Sequence, residues 1–168
     1  MEQAEIHEMM KDFDLSQFKI FDVGDYDVIY FGHEISPALA SPDTLERELA
    51  DVFQILLKYF PENRIARKYH PAHNSDKTLV KVGDILPDFI PAEFLYSEKV
   101  KVYLSFWSVS LANTDKGVAV SLIDLISFKD DEIRDYLKEF LGQYGRSEIL
   151  FPKSLEEFER ILTDVKQQ

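Results

Sequence analysis

Residues 100–128 read VKVYLSFWSVSLANTDKGVAVSLIDLISF, and the direction in which the chain runs through them decides the fold. Val100–Ala112 and Gly117–Phe128 are both rich in β-branched and aromatic residues, which suit strands. Between them Asn113-Thr114-Asp115-Lys116-Gly117 has turn composition, with a glycine available for positive φ. The stretch therefore reads as a long antiparallel hairpin. Upstream, Phe18–Val23 and Tyr26–Phe31 flank Gly24-Asp25, a link suited to a primed turn, and read as a second hairpin. Val28–Phe31 is apolar on both faces, which places that strand near the centre of a sheet.

Helical signals surround these strands. Ile6, Met9, Met10 and Phe13 mark a short amphipathic helix over residues 3–13. Ser41 and Pro42 open a longer one, with Leu45, Leu49, Val52, Phe53, Leu56, Leu57 and Phe60 as its apolar stripe and Pro61 as its stop. Ile133, Tyr136, Leu137, Phe140, Leu141 and Tyr144 predict a helix over 130–144, its start rich in acids. Ser154 and Glu157 form a capping box for a last helix. Thr78–Val82 and Ile149–Phe151 read as short strands, and Leu86–Pro91 as irregular because of its two prolines. No repeat or linker divides the chain. Strands paired in hairpins predict one α+β domain over 1–168, a largely antiparallel sheet with amphipathic helices packed on it.

The 168 residues carry 31 acids against 19 bases, a formal net charge of −12, and no cysteine. Disulfide scaffolds and Cys-ligated metal sites are therefore excluded. A −12 surface repels phosphates, so no nucleic-acid partner is expected. The start, Met1-Glu2-Gln3-Ala4-Glu5, lacks the basic and apolar regions of a secretory signal, and no apolar run approaches membrane-spanning length. The expected compartment is the cytoplasm, with no membrane partner.

Catalytic motifs are sparse. There is no Gly-x-Ser-x-Gly elbow, and the glycines at 24, 32, 83, 117, 142 and 145 build no phosphate-cradling loop. No cofactor is expected. His70 and His73 could bind zinc with His33 or Asp76, but Pro71 opposes the helical spacing and Arg67 and Lys68 repel a cation, so no metal site is expected. Pro87-Asp88 invites a nuclease core, yet the acidic-x-Lys triplet is missing at Glu98-Lys99. Asp124 falls on the apolar row Val118, Val120, Leu122, Ile126 and Phe128 if that strand is unbroken. That position fits either a reactive carboxylate or, more commonly, a strand end or structural ion pair.

The acidity is uneven. Residues 1–50 hold 12 acids and 3 bases, net −9, residues 51–110 are net +1, and residues 111–168 are net −4. Asp12, Asp14, Asp22, Asp25, Asp27 and Glu34 supply most of the excess, with Phe18, Phe21, Tyr26, Tyr30 and Phe31 interleaved. Solvation of such a face keeps a protein soluble, and the same field speeds docking of a cationic partner. Asp14, Asp22, Asp25, Tyr26, Asp27 and Glu34 are the predicted partner-binding residues. Arg64, Arg67, Lys68, His70 and His73 could bind phosphate or an acidic partner, but a basic segment of this kind more commonly is a solvated loop, and that is the reading taken.

One order of features is similar to the bacterial suppressor-of-fused-like domains. It comprises Leu56-Leu57-Lys58-Tyr59-Phe60-Pro61, a loop with His70 and His73, Phe89-Ile90-Pro91-Ala92-Glu93-Phe94, and Asp124-Leu125-Ile126-Ser127-Phe128-Lys129-Asp130-Asp131-Glu132-Ile133 before a helix and Gly145. The resemblance spans about residues 50–150 and carries no catalytic residues. Some of those domains serve as immunity proteins beside secreted toxins. Charge and resemblance together lead to an expected function: a non-enzymatic immunity or antitoxin-type inhibitor of a basic toxin or effector. The alternative is a small carboxylate-dependent hydrolase using Asp124 and Asp27.

Overall fold

A strand that is apolar on both faces needs cover on both sides, and this chain has several. The computed structural model describes residues 25–32, 35–69, 80–144 and 148–167. Within them, β1 (Val28–Gly32), β2 (Ile65–Tyr69) and β4 (Val102–Ser105) are buried at every position. They join β3 (Asp84–Ile85), β5 (Val118–Ser121) and β6 (Ile149–Leu150) in one six-stranded sheet of order β3-β2-β1-β4-β5-β6. Every pairing is parallel, for example Val28 with both Ile65 and Val102, and Val102 with Val118. β1 is central, as its two-faced apolar run requires.

The largely antiparallel α+β sheet expected from the sequence is therefore wrong, and the fold is α/β. In residues 100–128 the strands are only four residues each. After β4 the Ser108 hydroxyl accepts the Ser110 N–H and starts a single helical turn, α2 (Val109–Ala112). Residues 106–117 make a crossover of about the minimum length that a parallel connection needs. Gly117 does take positive φ, 62°, and a Cβ there would lie 2.6 Å from the Val100 carbonyl oxygen. The turn is real, but it feeds a parallel strand. Residues beyond β5 leave the sheet as a 3-10 turn, Ile123–Leu125.

The other expected hairpin fails likewise, since Val28–Gly32 pairs in parallel with β2 and β4. Its first arm, 18–23, and the helix at 3–13 lie outside the described residues. So do Thr78 and Leu79, while 80–82 form no strand and β3 follows. The helices at α1 (Pro42–Tyr59), α3 (Asp131–Tyr144) and α4 (Leu155–Gln167) stand where periodicity put them. At α4 the Ser154 hydroxyl accepts the Glu157 N–H, and the Glu157 carboxylate accepts that of Lys153.

Right-handed crossovers that leave the sheet centre in opposite directions must lie on opposite faces. α1, between β1 and β2, packs Leu45, Leu49, Val52, Phe53 and Leu56 with Phe158, Leu162 and Val165 of α4 on one face, against Val28, Ile65, Val102 and Val120. Each such side chain contributes roughly 1.5–3 kcal/mol of burial. The other face holds Ile29, Phe31, Ala66, Tyr103 and Ala119 under Leu86, Ile90, Leu95 and Leu111, the last from α2. The predicted solvated basic loop is also corrected. Arg67 and Lys68 belong to β2 and are 6% and 5% exposed.

Candidate functional site

The strand order reverses its direction of growth between β1 and β4. The chain leaves the carboxyl end of β1 for one face and that of β4 for the other, which opens a crevice at that edge. A cavity of about 630 Å³ occupies it, within the usual range for a small-molecule site. Phe31 and Gly32 from β1, Lys68 and Tyr69 from β2, and Ser108 and Ser110 after β4 line one side. Residues 88–93, Asp88-Phe89-Ile90-Pro91-Ala92-Glu93, line the other.

Each wall is held by groups of the fold. Residues 80–91 have little ladder of their own, so their carbonyls need other donors. The Arg67 guanidinium supplies them to Val80 and Gly83, and the Lys68 ammonium donates to the carbonyls of Tyr69 (2.7 Å) and Asp88 (3.1 Å). The Arg67 carbonyl accepts the Leu86 N–H. Two adjacent buried cations thus pin both halves of the segment that forms the outer wall.

Aromatic packing sets the floor. Phe31 stacks on Tyr103 with centroids 6.1 Å apart and meets Tyr96 edge-on at 6.5 Å. The Tyr103 hydroxyl accepts the Ser97 N–H and donates to the Leu95 carbonyl, which fixes the stretch that leads into β4. Gly32 is glycine because the Tyr69 ring lies where its Cβ would be, 2.4 Å away. At the switch itself the Ser105 hydroxyl donates to the Phe31 carbonyl and accepts the Ser108 N–H, tying the diverging ends of β1 and β4.

The residues predicted to dock a partner fall elsewhere. Asp14, Asp22 and Glu34 lie outside the described residues. Asp25 is exposed at the amino edge of the sheet, opposite the cavity. Tyr26 donates its hydroxyl to Asp84 at 3.0 Å. Burial, that bond and the charges of Asp84 and Asp25 push its pKa up to about 12. Asp27 is 14% exposed, with Arg64 Nε at 3.0 Å and Lys101 Nζ at 3.7 Å. Burial raises its pKa. The Arg64 hydrogen bond and the charges of Arg64, Lys101 and Lys166 outweigh that, holding the carboxyl below the usual aspartate value. Tyr26 and Asp27 therefore serve the fold.

Asp124 is an ion pair at a strand end: its side chain is 10% exposed, Lys138 Nζ lies at 2.5 Å and Arg134 Nε at 3.8 Å. It follows β5 whereas Asp27 precedes β1, so the two carboxylates sit at opposite edges, separated along the strands by at least a strand length of about 13 Å and across the sheet by two strand spacings. They do not form one site. No group of three His, Cys, Asp or Glu suited to a metal occurs among the described residues, and His33, His70 and His73 lie outside them.

The cavity residues were missed because they are scattered over four segments. The usable signal was Ile65-Ala66-Arg67-Lys68-Tyr69, a five-residue strand whose cations sit beside apolar neighbours. The fold and crevice define an open, parallel α/β protein with its cavity at the topological switch point. No protein-family model, curated protein or solved structure matches the chain. No helix among the described residues is long and apolar enough to cross a membrane.

Proposed function

We propose that the protein is a small-ligand-binding α/β protein whose site is the crevice at the carboxyl ends of β1, β2 and β4. The observation that carries this reading is the position of the 630 Å³ cavity at the one place where parallel sheets of this order open by construction. Its composition supports the same reading: apolar and aromatic walls with a few polar groups, Lys68, Asp88, Glu93, Ser108 and Ser110, at defined positions. The test is a ligand-observed NMR screen of mixed small molecules against the wild type and against Ala92→Phe, which fills the cavity from its wall. Hits that disappear in the folded variant support the reading. Hits that survive it place binding elsewhere.

A second reading, neutralisation of a basic toxin or effector, draws on charge. Its support is the net −9 of residues 1–50 and the exposure of Asp25. Such association is electrostatically steered, so its on-rate falls steeply as salt rises. Co-purification from the native host followed by a salt series on Asp22→Lys/Asp25→Lys tests it. An acidic partner, or binding indifferent to salt and to both substitutions, removes this reading.

A further inference from the structure

The two faces of the sheet are covered unequally. On the first, α1 and α4 are 18 and 13 residues long and carry one exposed large apolar side chain between them, Leu57. The steps from β4 to β5 and from β5 to β6 run the same way across the sheet. Right-handed connections therefore put α2 and α3 together on the second face, where the two helices touch. They are shorter, yet they expose Val109, Ile133 and Tyr136, at 46%, 37% and 66%. On α3, Leu141 is buried and Leu137 half-buried, so one side of its apolar stripe faces the protein. Ile133 and Tyr136, three residues apart, share the other side. A tyrosine ring and an isoleucine left in water on adjoining turns mark a contact surface for another molecule.

Charge selects the occupant. Residues 130–143 hold five exposed acids, Asp130, Asp131, Glu132, Asp135 and Glu139, against two bases, Arg134 and Lys138. Both bases turn to Asp124, at 3.8 and 2.5 Å, and Arg134 also reaches Asp131 and Asp135. Glu132 and Glu139 lie four residues before and three after Tyr136, on one helix face with it. A second copy set here by a two-fold axis opposes acids with acids. The chain's own residues 1–24, with six acids and two bases, do the same. A helix with an apolar strip flanked by lysines or arginines matches both the strip and the charge.

We propose that the outer side of α3, centred on Tyr136 with Ile133, Glu132 and Glu139, docks a cationic amphipathic helix of another protein. This rests on the second reading above, a basic partner, and gives that partner a surface. The probe is a synthetic leucine–lysine helix with one apolar face. Its controls are a scrambled peptide of the same composition and a leucine–glutamate counterpart, each titrated into the full chain and followed by protein NMR.

The leucine–lysine helix is expected to shift resonances of residues 131–143 and to bind roughly tenfold tighter than the scrambled peptide, while the glutamate peptide does not bind. Tyr136→Ala, which leaves charge unchanged, is expected to weaken binding roughly fivefold, and Glu132→Lys/Glu139→Lys roughly tenfold, with circular dichroism unchanged. Glu46→Lys/Asp51→Lys makes the same charge change at exposed positions of α1 on the other face and is expected to cost less than about twofold. If the scrambled peptide binds as tightly, or the α1 pair causes an equal loss, diffuse attraction to the chain explains the binding and the proposal is overturned. It is also overturned if Tyr136→Ala shifts resonances of residues 3–13 in the free chain, which makes the amino-terminal segment the occupant. A concentration-dependent dimer abolished by Tyr136→Ala makes the occupant a second copy and overturns it as well. If no peptide perturbs residues 131–143, the α3 surface is refuted, and the salt series on Asp22→Lys/Asp25→Lys decides the second reading separately.

Discussion

The two edges of the sheet use charge in opposite ways. At the amino edge, charges of opposite sign meet one another. Asp27 receives Arg64 and Lys101, and its main chain also bonds Arg64, Lys101 and Val102, so β1, β2 and β4 are fastened together where they begin. At the carboxyl edge the strands diverge. There the buried cations Arg67 and Lys68 bond loop carbonyls, and the carboxylates of Asp88 and Glu93 line an opening. A parallel sheet whose connections leave for both faces is closed at one end and open at the other. The closed end is fastened strand to strand, and the open end strand to loop around the proposed binding site.

The largest effect that tests this contrast is expected at Arg67. Arg67→Met leaves the Val80 and Gly83 carbonyls without their donor, and unsatisfied buried groups cost about 1–3 kcal/mol each. Urea unfolding should show a loss of about 3 kcal/mol, with ligand binding impaired because the outer wall loosens. A loss below about 0.5 kcal/mol would show that the segment 80–91 holds itself.

Asp27→Asn comes next, at about 2 kcal/mol, since charge-assisted hydrogen bonds are involved. Its pH signature is specific. The carboxyl is held below its ordinary value, so its stabilisation is present in full above the usual aspartate pKa and is lost as pH falls through the lowered folded one. The wild type and Asp27→Asn should therefore converge in stability in acid and separate at neutral pH. Ligand affinity should be unchanged, and a change in affinity would break the division of labour between the edges.

Gly32→Ala reverses the pattern. Its Cβ displaces the Tyr69 ring, a strain of about 1–2 kcal/mol, and reshapes the cavity floor. Binding should drop by more than stability alone predicts, read by titration alongside thermal unfolding. Asp25→Lys is the smallest change. It should stay within about 0.5 kcal/mol, because the side chain is exposed and has no ladder role.

Much of the local structure was legible before any tertiary information. The stripe from Leu45 to Phe60 with Ser41-Pro42 before it and Pro61 after it defines α1 from its own residues, since helical bonds are local. β1 could be recognised as central from Val28–Phe31 alone. The candidate site was much less legible. Lys68, Asp88 and Ser108 come from separate segments, and burial of two cations in β2 is intelligible only once carbonyls from residues 80–88 are known to reach them. A basic strand and a solvated basic loop look alike in sequence.

What the sequence determined by itself was the helices at 42–59, 131–144 and 155–167, the apolar strands, and the positive-φ turn at Gly117. Tertiary structure alone decided strand direction, the pairing of Asp27 with Arg64 and Lys101, and the cavity. The physical reason is range. A helix closes its hydrogen bonds four residues away, whereas a four-residue strand carries no mark of its direction and acquires one only from the crossover that returns the chain beside it.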